Sequence, residues 1–147
     1  MLDADFSESP HKGQRGIRRL FNAFFYSLSG LLLAFRHESA FRQEVALAAV
    51  LIPLACALHV TTVERVLLIC SVLFVLVVEL LNSSVEAAVD RIGLDTHRLS
   101  KRAKDLGSAA VLVSLTALIL AWLFLAGPAM LDIARGFAGI ATQRAGG

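Results

Sequence analysis

The chain has 147 residues, of which 56% are hydrophobic and 18% charged, and its mean hydropathy is +0.69. Soluble domains carry about 25% charged residues, so this balance points to a membrane protein. The net charge of +2 is too small to suggest a nucleic-acid partner, and Cys56 and Cys70 lie in apolar runs without a CxxC spacing.

Residues 1–14 carry no periodic pattern and are expected to form a flexible N-terminus. Over 15–36, Ile17, Leu20, Phe21, Phe24, Leu28, Leu31, Leu32 and Phe35 recur at helical spacing, while Arg15, Arg18, Arg19, Asn22 and Ser29 take the opposite side. This pattern predicts an amphipathic helix with a basic end, lying in the membrane interface. Three apolar stretches follow within 37–131. Val45–Val60 contains Pro53 and no acidic residue, Lys or Arg; extended by a turn, it predicts a span over about 42–60. Val66–Val89, interrupted only by Glu79 and Glu86, predicts a second span over about 63–89. Leu106–Leu131 has no charged residue and predicts a third over about 106–130. Residues 132–147 are rich in Gly and Ala, show no periodic signal and are expected to be a flexible tail. The expected fold class is an all-α membrane protein with three transmembrane helices and an N-terminal surface helix.

Eleven of the 14 Lys and Arg residues lie before the first span or between the second and third. Arg65, Arg135 and Arg144 make up the rest. The distribution predicts a cytoplasmic N-terminus and second loop, with the C-terminus outside.

The second span carries a polar stripe. At 100° per residue, Glu79, Asn82, Ser83, Glu86 and Asp90 fall within about 100° of arc. A carboxylate at the centre of a membrane helix costs about 2.5–3.5 kcal/mol on insertion scales, so the stripe should face protein or a cavity. Glu79 and Glu86 are separated by about 10.5 Å along the axis, so one lies deeper than the other. The shallow one suits a divalent cation and the deep one a lipid headgroup hydroxyl. A polar seam that joins helices is the plainer alternative. A second cluster, Glu38 to Glu44, stands before the first span; Glu38 and Arg42 have the spacing of a surface ion pair, and Glu38 also falls at the membrane level of Glu86, where the two could share a metal ion. A third, Asp95 to Ser108, leads into the last span. Its basic residues satisfy the topology rule, and Lys104 stands where an ammonium can neutralise phosphate. No Walker motif, kinase-type glycine loop or GxSxG occurs, which excludes an ordinary soluble-kinase fold.

Three strings, Glu38-Ser-Ala-Phe-Arg-Gln-Glu44, Glu79-Leu-Leu-Asn-Ser-Ser-Val-Glu-Ala-Ala-Val-Asp-Arg-Ile-Gly93 and Arg102-Ala-Lys-Asp-Leu-Gly-Ser-Ala-Ala-Val-Leu112, resemble the small prokaryotic integral-membrane diacylglycerol kinases. The resemblance covers roughly Arg19 to Ala126. It implies a homotrimer of three-span subunits in the bacterial inner membrane, with active sites shared between neighbours. The implied reaction transfers the γ-phosphoryl group of ATP, with Mg²⁺, to diacylglycerol and makes phosphatidic acid. By the same resemblance, Glu79 corresponds to the catalytic base and Glu38 and Glu86 to metal carboxylates. Arg19, Tyr26, Lys104 and Asp105 correspond to nucleotide contacts, and Asp95, Thr96 and His97 to a loop near the adenine. Arg42, Gln43, Asn82 and Ser108 correspond to residues around the acceptor and phosphate. An undecaprenol kinase of the same family is the nearest competing expectation. A non-enzymatic proton or cation pathway along the Glu79 stripe is a competitor of another class.

Overall fold

A computed structural model of the chain describes residues 16–92 and 98–145, with side chains over 16–91 and 98–136. The described residues are almost wholly helical: α1 spans Ile17–His37, α2 Ser39–Ala57, α3 Thr62–Ile92 and α4 Arg98–Ala121. A π-helical turn, Trp122–Ala126, joins α4 without a break to α5, Gly127–Ala145. Three of the helical stretches, Ser39–Ala57, Thr62–Arg91 and Arg98–Gly136, are long and apolar enough to cross a membrane.

The joints explain the topology. Between α1 and α2 stands one extended residue, Glu38, with φ −99° and ψ 117°. Its amide closes α1 on the Ala34 carbonyl at 2.8 Å, and its own carbonyl accepts from the Arg42 amide at 3.3 Å to start α2. The Arg42 guanidinium reaches back to the carbonyls of Phe35 and Arg36 at 3.3 and 3.2 Å, meeting acceptors that α1 leaves open at its end. At the other end of α2, Arg65 does the same for Ala55 and Leu58, at 3.2 and 3.1 Å. Its charge there also meets the negative pole of α2. α3 opens with a capping box: the Thr61 amide donates to the Glu64 carboxylate at 2.8 Å, and the Glu64 amide donates to the Thr61 hydroxyl at 3.3 Å.

α3 is the central helix, packed chiefly on α4 and next on α2, while α1 meets the bundle through α2. One core cluster joins Ala48, Val72, Val75 and Leu118; another joins Ala55, Leu58, Leu68 and Ala126. Trp122 packs against both, where the π turn begins. Small alanines at the contacts let the helices approach closely, as packing inside a bilayer demands. Large apolar side chains such as Phe74, Leu112 and Phe124 stay more than half exposed, which suits a lipid-facing exterior. On α1 only Ala34 is buried, while Phe21, Phe24 and Phe25 are bare. The basic side chains Arg18 and Arg19 are exposed as well, so α1 stands clear of the other helices over most of its length.

One helix runs past the expected third span at both ends. It begins at Arg98, because Lys101, Arg102, Lys104 and Asp105 are compatible with a helix wherever they face water. It also continues through 132–145, where the sequence shows no apolar period. Alanine-rich sequence favours helix without needing one. The 39 residues of Arg98–Gly136 reach about 58 Å, well past a hydrocarbon core of about 30 Å. The expectation for residues 1–14 lies outside the described residues.

Candidate active site

The α1–α2 joint, the C-terminal half of α3 and the middle of α4 meet in one region of the bundle. They enclose a cleft of about 360 Å³. Glu38, Ser39 and Ala40 come from the joint, Glu79, Asn82 and Glu86 from α3, and Ser108 and Val111 from α4. Each carboxylate has a structural reason to be there. Glu38 occupies the break between two helices and makes no capping bond with its side chain, which leaves the carboxylate available to the cleft. Glu79 lies on the packed face of α3 and is only 4% exposed, the one acidic side chain classed as buried among the described residues. Glu86, two turns further along the same face, accepts a hydrogen bond from the Asn82 amide at 3.1 Å.

Asn82 is fixed from the other side by α4. A Cβ at Gly107 would overlap the Asn82 side-chain oxygen, so only glycine lets α4 approach here. That oxygen is buried and accepts no hydrogen bond. The amide therefore turns its donor toward Glu86 and its acceptor toward the glycine backbone. Glu38 and Glu86 both act electrostatically on Glu79. Three carboxylates sharing one cleft repel one another unless a cation or proton intervenes.

A divalent metal fits this donor set. Among the described residues no group of three acidic, His or Cys side chains is arranged to hold a metal. Mg²⁺ does not need one: it is commonly held by one or two carboxylates, with phosphate oxygens and water completing an octahedron. Glu38 and Glu86, which both line the cleft, are the pair that would hold it.

A second cleft of about 640 Å³ lies between α1 and α3. Leu31, Leu33, Ala34 and Leu80 make it largely apolar, with Ser27, Ser83 and Ser84 as its hydroxyls, and Glu38 belongs to both clefts. The stripe read from the sequence thus divides: Ser83 faces the apolar cleft, Glu79, Asn82 and Glu86 face the polar one, and Asp90 pairs with Lys104 at 2.6 Å.

Of the remaining expected residues, Ser108 lines the polar cleft, whereas Arg42 is engaged at the α1–α2 joint and the exposed Gln43 is not among the lining residues. Arg19 and Tyr26 are exposed on α1, away from the lining. Asp105 pairs with Lys101 at 3.3 Å on the exposed side of α4. Asp95, Thr96 and His97 lie outside the described residues. Two residues gain weight. Glu44 holds a buried carboxylate oxygen with no partner and feels the charge of Glu79. It stands on the same face of α2 as the buried Phe41 and Ala48, at helical spacing that the sequence already contained. Gly107 had a weaker signal, one small residue among several after Lys104-Asp105.

A carboxylate-lined cleft beside an apolar one, in a bundle with three helices long and apolar enough to cross a membrane, is the arrangement a membrane enzyme acting on amphiphiles needs. Comparison of the chain with known proteins narrows this. The sequence model of the family described as prokaryotic diacylglycerol kinase matches residues 25–126. A diacylglycerol kinase of Pseudomonas aeruginosa is 56% identical over 116 residues, covering 79% of this chain and 94% of the relative. Those of Haemophilus influenzae and Escherichia coli K12 are 51% identical over 107 residues and 48% over 110. They cover 73% and 75% of this chain and 91% and 90% of the relatives. The chain belongs to the prokaryotic diacylglycerol kinase family.

Proposed function

We propose that the chain transfers the γ-phosphoryl group of ATP to the free hydroxyl of diacylglycerol, giving phosphatidic acid and ADP, and that the cleft of Glu38, Glu79 and Glu86 is where this occurs. The observation that carries the reading is the convergence of these three carboxylates, from a joint and a helix, beside an apolar cleft that shares Glu38. The acyl chains lie along the apolar side, and the hydroxyl reaches Glu79. Glu79 accepts its proton as the oxygen–phosphorus bond forms and the bond to ADP breaks. Glu38 and Glu86 hold Mg²⁺, which neutralises phosphate charge when bound. Asn82 keeps Glu86 in place, and Ser108 offers a hydroxyl at the cleft wall. Lys104 and Arg19 meet the phosphates, with Tyr26, Asp95, Thr96, His97 and Asp105 on the nucleotide side and Arg42 and Gln43 near the acceptor. Catalysis by positioning and charge neutralisation is the usual economy of phosphoryl transfer.

The distribution of basic residues supports a cytoplasmic active site in a bacterial inner membrane, with the C-terminus outside. In the homotrimer we propose, Arg19, Tyr26 and Gln43, exposed on one subunit, would complete the cleft of a neighbour. The test is labelled ATP with diacylglycerol, ceramide and undecaprenol in mixed micelles, beside Glu79→Gln. Phosphatidic acid as the main product, with turnover lost in a folded Glu79→Gln protein, is expected. Preferential phosphorylation of undecaprenol refutes the acceptor, and near-normal turnover in the variant refutes the base. Absence of any phosphorylated lipid favours a cation or proton pathway.

A further inference from the structure

Lys104 stands beside the polar cleft without lining it. Its ammonium is held by Asp90 at 2.6 Å, which joins the end of α3 to the beginning of α4. Asp90 belongs to a ladder on α3 with single-turn steps: Asn82 donates to Glu86, and Asp90 stands one turn beyond Glu86. The Glu86 charge also reaches Lys104. The lysine is therefore stationed by one acidic residue next to another that faces the cleft. An ammonium has three donors, Asp90 takes one, and the Lys104 side chain remains 40% exposed. An incoming polyphosphate can meet the other donors while the ion pair persists.

We propose that Asp90 is a positioning residue, which anchors the Lys104 ammonium at the mouth of the cleft where it receives the phosphates of the nucleotide. A purely structural ion pair is the competing account, and it predicts a loss of melting temperature rather than a raised KM for ATP. Within one subunit, with Asp90 at 53% and Lys104 at 40% exposed, the pair adds little to the fold of that subunit. A lysine without an anchor spreads over many rotamers, and that loss of order appears when a ligand must be held. The inference rests on the reading of Lys104 as a phosphate-binding group.

The experiment measures initial rates of the full chain in mixed micelles with dioleoylglycerol while ATP is varied. The variants are Asp90→Ala, Asp90→Asn, Asp90→Glu, Lys104→Met and the double variant Asp90→Ala/Lys104→Met. Asp90→Ala is expected to raise KM for ATP about tenfold, the factor for one misplaced charge-assisted hydrogen bond, with kcat changed by less than about twofold. Asp90→Glu should recover most of the loss, with Asp90→Asn intermediate. The double variant should be no worse than Lys104→Met, because the anchor has no effect without the group it holds. An unchanged or lowered KM in Asp90→Ala overturns the proposal. So does a multiplicative loss in the double variant, or a fall in melting temperature that accounts for the lost activity. Lys104→Met with a wild-type KM overturns the underlying reading of Lys104, whereas a defective Lys104→Met beside a normal Asp90→Ala overturns the anchor alone.

Discussion

Gly107→Ala tests whether the cleft depends on the close approach of α3 and α4. Glycine inside a helix costs about 0.5–1 kcal/mol relative to alanine, so an unobstructed Gly→Ala change should stabilise the protein by that amount. Gly136, within α5 and not followed by proline, provides the control, since a Cβ there meets nothing within 4 Å. At Gly107 the new Cβ overlaps the Asn82 side-chain oxygen. If the helices separate, overpacking costs about 1–3 kcal/mol. If Asn82 turns aside instead, its 3.1 Å bond to the Glu86 carboxylate is lost, and bonds to charged groups contribute about 1.5–3 kcal/mol. After the helix gain is subtracted, net destabilisation should be about 0–2.5 kcal/mol. Loss of a group that orients a metal ligand typically costs about 10–100-fold in metal affinity or activity. Thus Gly107→Ala should melt near or below the parent, yet require at least about tenfold more Mg²⁺ for half-maximal phosphatidic acid formation. Gly136→Ala should melt slightly higher with an unchanged Mg²⁺ requirement. Parental stability and Mg²⁺ dependence in Gly107→Ala would refute the argument that glycine there serves Asn82 and Glu86.

The other expectations concern the metal and the far end of the bundle. Glu86→Gln keeps the shape of the side chain and removes its charge, so the Mg²⁺ requirement should rise by about 10-fold or more while the protein remains folded; an unchanged Mg²⁺ titration refutes the ligand assignment. Arg65→Met leaves the Ala55 and Leu58 carbonyls without their guanidinium partner. It should destabilise by about 1–3 kcal/mol, with activity per folded molecule unchanged, as read from thermal unfolding and from rates at a permissive temperature.

The helices were legible because hydrocarbon demands long apolar runs, and Val45–Val60, Val66–Val89 and Leu106–Leu131 have few other uses. The starting point of the third helix was not legible. Polar residues such as Lys101 and Lys104 continue a helix as readily as they form a loop, and hydropathy does not distinguish the two. The continuation of α5 was hidden for a related reason, since an alanine- and glycine-rich tail without an apolar face has no period to read. Glu79, Asn82 and Glu86 were recognisable as one face from their spacing alone. What spacing could not supply was the second surface of the cleft. Whether Ser83 and Asp90 join their neighbours depends on where α1 and α4 cross α3, and those crossings turn on particulars such as the missing Cβ of Gly107. Glu44 shows the same limit from the opposite side: its place on the inward face of α2 was visible, but proximity to Glu79 required the packing.

Glu38 borders both clefts. A carboxylate within a regular helix faces one direction, fixed by its neighbours, whereas a residue in a one-residue break borders whatever the two flanking helices separate. Here they separate an apolar cleft under α1 from a carboxylate cleft between α3 and α4, and Glu38 belongs to both. Arg42 spans that break, its guanidinium donating to the last carbonyls of α1 from within the first turn of α2. Arg42 thereby ties the end of α1 to the first turn of α2 across the residue that borders both clefts. The spacing from Glu38 to Arg42, which in sequence suggests an ion pair, instead keeps the acid free: the arginine is occupied with backbone oxygens, and the carboxylate is left for the cleft.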